Sequence, residues 1–209
     1  MFRGERPAKV TVSPFWLRKF VVTNDEYRLF DPTHNAANID ADLPVTSIDW
    51  YMATIFCHWL GPGYRLPTEA EWETACRANQ LKNGKLPQET KYWFGEDDSL
   101  ARNHMWFSDN SKSREHSLGE SYQKKGHENR LGLIDMSGNV WEMCSDWYGN
   151  YAMNSVSDPV GPTEGEYRVN RGGCWGNGAK GCQSASRTRN ETLGHRNRAV
   201  GFRVALSSS

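Results

Sequence analysis

The sequence predicts an α+β domain with two main helices, short strands and much irregular chain between them. Three observations predict it. Two capping boxes, Thr23 with Glu26 and Thr68 with Glu71, each open a helical segment. Apolar and polar residues alternate in YRVNRGG and GFRVALS, the pattern of late strands. Nine Trp, eight Tyr and eight Phe accompany 19 Gly and 9 Pro in 209 residues, so aromatic packing must supply much of the core while Gly and Pro break the chain often. This length suits one sizeable core, and a single domain over residues 1–209 is expected.

The elements follow in order. VTVSPFWLRKFVVT reads as extended chain turning at Ser13–Pro14, a hairpin. TNDEYRLF begins at the Thr23 cap. SIDWYMATIFCHWL places Trp50, Ala53, Phe56 or Cys57 and Leu60 at helical spacing and stops at Gly61. In YRLPTEAEWETACRAN, Pro67 ends an extended segment, Thr68 caps, and Ala70, Trp72, Ala75 and Cys76 form the apolar face. Residues 79–130 are polar and loop-like, interrupted by YWFG and HMWF; a tight GLIDMSGNVWE follows, then the link DPVGPTEG and the late strands.

Composition excludes several function classes. The formal net charge is zero, with 25 basic and 25 acidic residues, so no whole-molecule field favours nucleic acid or membrane. No apolar run approaches the roughly 18 residues of a spanning helix, and direct membrane insertion is not expected. The N-terminal MFRGERPAKVTV lacks the apolar centre of a signal peptide, which implies a cytoplasmic protein unless a leader lies outside this chain. Five cysteines form no CxxC pair and no zinc pattern; Cys57 and Cys76 lie in helical patterns and read as buried free thiols. There is no SxxK, nucleophile elbow or phosphate loop. Residues 171–203 hold seven Lys/Arg against one acid, Glu191, which either contacts phosphate or pairs with acids of the middle loops; nucleic acid is not expected.

Six blocks, FWLRKFVVTNDEYRLF, LPVTSIDWYMATIFCHWL, YRLPTEAEWE, GLIDMSGNVWEMCSDWYG, YRVNRGGCWGNGAKGCQSASR and GFRVALS, resemble in order the formylglycine-generating-enzyme-like (sulfatase-modifying-factor) family. The resemblance covers about Val10 to Leu206. It implies a C-type-lectin-type fold of the formylglycine-generating-enzyme subtype, with two helices around small antiparallel sheets and paired terminal strands. Fold does not fix function, because enzymes and binding proteins share it. The family's copper enzymes use two cysteines separated by four residues after RxxxGGS. Here the second falls on Cys182, but the first falls on Asn177, and Cys174 is instead separated from Cys182 by seven residues. One thiolate and an amide do not hold Cu(I) as two thiolates do. No redox cofactor and no catalysis are expected; Cys174 with Cys182 remains the alternative, as an oxidase pair or a disulfide.

In DMSGNVWE, Asp135 and Glu142 bracket the carbonyls of Gly138 and Val140, a donor set that suits structural Ca²⁺. The resemblance implies the same, since the matching positions bind calcium in the family. The alternative is that Asp135 caps the turn and Glu142 pairs with an arginine. Asn103 matches one ligand of the family's other calcium site, without an identifiable acidic partner.

The segment after RGG departs from the family's asparagine-rich pattern at Cys174, Gly176, Gly178, Gly181, Ser186, Thr188, Arg189, His195, Arg196 and Arg198. All are reachable from asparagine codons by changing adenines alone, which resembles a variable protein of a diversity-generating retroelement. With the retained Asn177, Asn190 and Asn197, these residues form the expected ligand-binding set within residues 170–203. Trp175, Ala179, Cys182, Ala185, Arg187 and GFR form a fixed framework between them. Small and polar loop residues on a rigid scaffold suit adaptable recognition. The function expected is a non-catalytic, receptor- or adhesin-like binder of a macromolecular ligand, mainly protein. The resemblance implies display at a cell surface or secretion if a leader lies outside this chain.

Overall fold

The computed structural model describes residues 9–34, 40–77, 90–124, 126–189 and 194–208. In chain order these hold strands β1 (Val10–Thr11) and β2 (Phe15–Leu17), helices α1 (Asn24–Arg28) and α2 (Trp50–Leu60), β3 (Tyr64–Arg65), and α3 (Glu69–Cys76). Then come α4 (Ala101–His104), α5 (Leu118–Gln123), β4 (Trp141–Trp147), β5 (Val156–Ser157), β6 (Arg168–Arg171), β7 (Arg187–Arg189), β8 (Val200–Phe202) and β9 (Ala205–Ser207). Short 3-10 turns occupy Asp98–Leu100 and Ala179–Cys182. This is the small-sheet α+β architecture expected.

Local chemistry sets the helix ends where the sequence puts them. Thr23 and Thr68 accept from the Glu26 and Glu71 amides, and both glutamates return the bond to the cap backbone. α2 starts at the Asp49 cap and ends at Gly61, whose φ of 133° suits glycine. Its Ala53, Phe56 and Cys57 are buried, while Leu60 stays partly exposed. Trp72, Ala75 and Cys76 of α3 are buried, and Ala70 only partly. The predicted continuation of this helix to Asn79 lies outside the described residues, as does the loop at 79–89.

Strand pairing corrects one expectation. The N-terminal segment is no hairpin: β1 pairs in parallel with β5, and β2 pairs antiparallel with β9. The Ser13 amide and hydroxyl donate to Asp158, 2.6 and 2.7 Å away, and so tie the turn to the β5 loop. The terminal strands do pair, in a sheet ordered β2-β9-β3. The main sheet runs β7-β6-β4-β8, with β8 parallel to β4 and the other pairs antiparallel.

α2 packs Phe56 and Cys57 with Tyr27, Met143 and Phe202, and α3 packs Trp72 and Cys76 with Met136, Cys144 and Val169. As expected, Cys57 and Cys76 are buried free thiols, and burial pushes them up to about 12 and about 11.

Candidate functional site

The C-terminal loops hang on three arginines, Arg171 and Arg203 fully buried and Arg187 half-buried. Arg171, at the end of β6, donates to the Ser184 and Ser186 carbonyls at 3.0 and 2.9 Å, and pairs with Glu73. Burial opposes its charge, but Glu73 and Glu69 overcome this and hold its pKa above the ordinary guanidinium range. Arg187 opens β7 and bonds Glu69 at 2.7 Å and the Gly149 carbonyl at 2.7 Å. Arg203 lies wholly inside. It donates to both Glu142 oxygens at 2.8 and 3.0 Å and to the Arg18, Lys19 and Ile134 carbonyls. Arg171, Arg187 and Arg203 thus spend three of this segment's seven basic charges on internal partners, while Lys180, Arg189, Arg196 and Arg198 stay exposed. The acidic partners of these three come from α3 and β4, not from the middle loops.

The GNVWE turn supports the loop after β6. Asn139 takes a left-handed φ of 60°, and its carbonyl accepts from the Trp175 amide at 2.8 Å. The Ser111 hydroxyl donates to the Trp175 carbonyl at 2.8 Å, and the Gly138 amide donates to Gly172 at 2.9 Å. Cys174 and Trp175 pack with Val21 and Val140 in a small buried cluster. Asn177 closes the turn by accepting the Cys174 amide at 2.9 Å, while its own carbonyl accepts from Ser108 at 2.9 Å.

On this base the expected ligand-binding residues divide. Gly176, Gly178, Arg196, Asn197 and Arg198 are exposed; Asn177, Gly181 and His195 are half-buried. The Arg198 guanidinium lies 4.8 Å from the Trp175 ring centre, and Arg196 reaches Asp49 at 3.5 Å, joining the two loops to the α2 cap. The Asn197 carbonyl accepts from Ser47 at 3.1 Å. Arg189 is exposed but stacks on Tyr167 beyond the other end of β6, with Thr188 half-buried beside it on the edge strand. Those two therefore stand apart from the Trp175–Arg198 group.

Two expectations need correction. Cys174 and Ser186 are buried: the first in the Val140–Trp175 cluster, the second donating to the Lys180 carbonyl at 3.0 Å. Both belong to the framework. Asn190 lies outside the described residues. Sequence reasoning passed over Lys180, exposed within the loop after β6, Ser108 and Ser111, which tether that loop, and Asp49, which holds Arg196. Lys180 carries a signal in plain sight, since a lone exposed cation sits among small residues.

The two thiols do not form a disulfide. The Cys182 sulfur is wholly buried and lies 3.9 Å from the Cys174 carbonyl. Burial pushes Cys182 up to about 12 and raises Cys174 as well, which favours the thiol over the nucleophilic thiolate at neutral pH.

The calcium donor set fits poorly. Glu142 accepts from Trp72 Nε1 at 2.8 Å besides its Arg203 bonds, so a cation there would face a buried guanidinium. Asp135 meets His127 Nδ1 at 2.7 Å and accepts from Asn139 Nδ2 at 3.0 Å. Protein groups already satisfy both carboxylates, and Gly138 and Val140 serve as part of the turn and core. Glu142 paired with an arginine was the alternative reading, and that pairing is present. Asn103 is exposed on α4, and among the described residues no cluster of three or more His, Cys, Asp or Glu side chains could hold a metal.

Fold and site together define an α+β scaffold whose buried ion pairs hold exposed loops. The chain belongs to the sulfatase-modifying factor enzyme 1-like domain family, which matches residues 3–208. It is 37% identical over 167 residues to the serine/threonine-protein kinase pkn1 of Chlamydia pneumoniae, covering 78% of this chain and 24% of that protein. It is 35% identical over 142 residues to the formylglycine-generating enzyme of Streptomyces coelicolor, covering 63% and 42%. The chain thus spans less than half the length of either relative. Among solved structures, Treponema denticola variable protein 1 superposes with a TM-score of 0.81 at 25% identity, covering 95% of this chain and 86% of that one. The expected resemblance to a variable protein on a C-type-lectin-type fold is therefore present. No described helix is long and apolar enough to cross a membrane.

Proposed function

We propose that this chain is a non-catalytic, ligand-binding variable protein whose loops around Gly176–Gly178 and His195–Arg198 are diversified to recognise macromolecular surfaces, mainly protein. One contrast carries the reading. Gly173, in the framework, has a φ of 80°, and an added Cβ would lie 2.6 Å from the Cys182 sulfur. Gly178 has a φ of −67° and open space around its Cβ position; Gly176 would meet nothing closer than 3.9 Å. The backbone demands glycine at the first site and leaves room for a Cβ at the other two, as positions free to vary require. The similarity to the Treponema variable protein supports the same reading. Pre-bonded loops also limit the ordering cost of binding.

The test is the DNA of sister copies: a template repeat beside a reverse transcriptase should differ from this segment only at adenines. The differences should concentrate at exposed codons such as 176, 178, 195, 196 and 198. Differences at other bases, or spread through Gly173, Cys182 and Arg203, would defeat the proposal.

The relationship to formylglycine-generating enzymes favours a second reading, cysteine oxidation through Cys174 and Cys182. Asn177 at the first cysteine position and the protonated, buried thiols weigh against it. Formylglycine produced from a CxPxR peptide with Cu(I) would establish it instead.

A further inference from the structure

α2 is apolar on both sides. Ala53, Phe56 and Cys57 face the core, yet Tyr51, Ile55 and Trp59, at spacing i, i+4, i+8, are 50%, 49% and 49% exposed. A surface helix normally turns charge to solvent on that side. The stripe runs into a groove of about 540 Å³ between α1, the end of α2 and the β2-β9-β3 sheet, where Trp16 and Leu29 are 72% and 74% exposed. Trp59 borders both, its ring fixed against Phe30 and Phe56 at 5.8 Å between centres. One face therefore carries a convex apolar ridge and a concave apolar groove side by side.

We infer that this face is the interface of a two-fold dimer, in which the Tyr51–Ile55 ridge of one copy enters the Trp16–Leu29–Trp59 groove of its partner. Three observations point to a second copy. The first is self-complementarity: an isologous interface needs a surface that fits itself, and a ridge beside its own groove provides that. The second is area. At roughly 150–250 Å² per aromatic side chain, the exposed parts of Trp16, Tyr51 and Trp59 present on the order of 350 Å². Leu29, Ile55 and Leu60 bring the patch to about 600 Å², the upper end for a monomer and near the ~800 Å² per partner of a standard interface once its polar rim is included. The third is charge. Arg18 and Glu26 pair with each other at the groove rim, and a two-fold axis would let each also face its opposite in the other copy. A fixed Trp ringed by partly exposed apolar groups is the usual anchor of such a contact. The inference is independent of what the C-terminal loops bind.

The 209-residue chain should show concentration-dependent dimerisation by sedimentation velocity or light scattering across the micromolar range. Ile55→Glu and Trp16→Glu, made separately, should each weaken the dimer about tenfold or more. At concentrations where the parent is monomeric, thermal stability should be unchanged, because both side chains project outward. Leu131→Glu, exposed elsewhere, should leave dimerisation intact. A chain that stays monomeric throughout leaves the patch to some other occupant and overturns the inference, as does a dimer that survives both ridge and groove substitutions.

Discussion

Glu142→Gln tests the buried frame that holds the C-terminal loops. In the native chain one oxygen accepts from the Arg203 terminal nitrogen at 2.8 Å, and the other from Arg203 Nε at 3.0 Å and Trp72 Nε1 at 2.8 Å. A glutamine offers one acceptor and one amide donor. Whichever way it turns, the amide faces an N–H group, and Arg203, fully buried, loses its counter-charge. Removing one partner of a buried pair costs roughly 3–5 kcal/mol. For a domain of this size that corresponds to a melting-temperature drop of about 6–20 °C. Thermal denaturation followed by circular dichroism measures it, with EDTA and with added Ca²⁺. The drop should be the same in both, because Arg203 balances the carboxylate. A drop under about 2 °C, or a wild-type melting temperature that falls on chelation and recovers with calcium, would refute this account of Glu142.

Three further outcomes follow from the same geometry. Burial, reinforced by Glu69, raises Asp146 to about 6. Its folded pKa exceeds the unfolded value, so it stabilises the fold in acid, and that contribution is lost as pH rises from about 4 to about 6. Asp146→Asn should flatten this slope in denaturant titrations and gain up to about 3 kcal/mol at neutral pH; an unchanged slope contradicts the assignment. Gly173→Ala should cost about 2–4 kcal/mol through its clash with Cys182 and its left-handed backbone, while Gly178→Ala should stay within about 0.5 kcal/mol in the same denaturation assay. Equal costs at both sites would remove the contrast between framework and variable glycines. Cys174 and Cys182 should resist thiol reagents at neutral pH until the protein is unfolded, and rapid labelling of either in the native state would favour the enzyme reading.

Local chemistry made the helices legible. A capping box satisfies its bonds within four residues, so Thr23–Glu26 and Thr68–Glu71 can be read without tertiary information. Strand partners depend on distant chain: Phe15–Leu17 pairs with Ala205–Ser207, not with its neighbour Val10–Thr11. Sequence alone gave no sign of β7, because RTR carries no alternation and is held by Arg187 reaching Glu69. The site was legible as a segment but not as a surface. Codon reasoning places Cys174 and Ser186 with the other replaced residues, yet only packing shows that they point inward. Arg189 is adjacent in sequence to the group and separated from it in space, because β7 carries it to the far end of β6.

The account's central claim is that exposed loop residues can change freely on a frame that cannot. A displayed library randomising Gly176, Gly178, His195, Arg196 and Arg198 together, sorted first for folding and then against unrelated protein targets, measures this directly. Most members should melt within a few degrees of the parent, at about 0.5 kcal/mol or less per site, and binders to different targets should emerge with the frame unchanged. A library that largely fails to fold, or folds and yields no target-dependent binders, would contradict the claim.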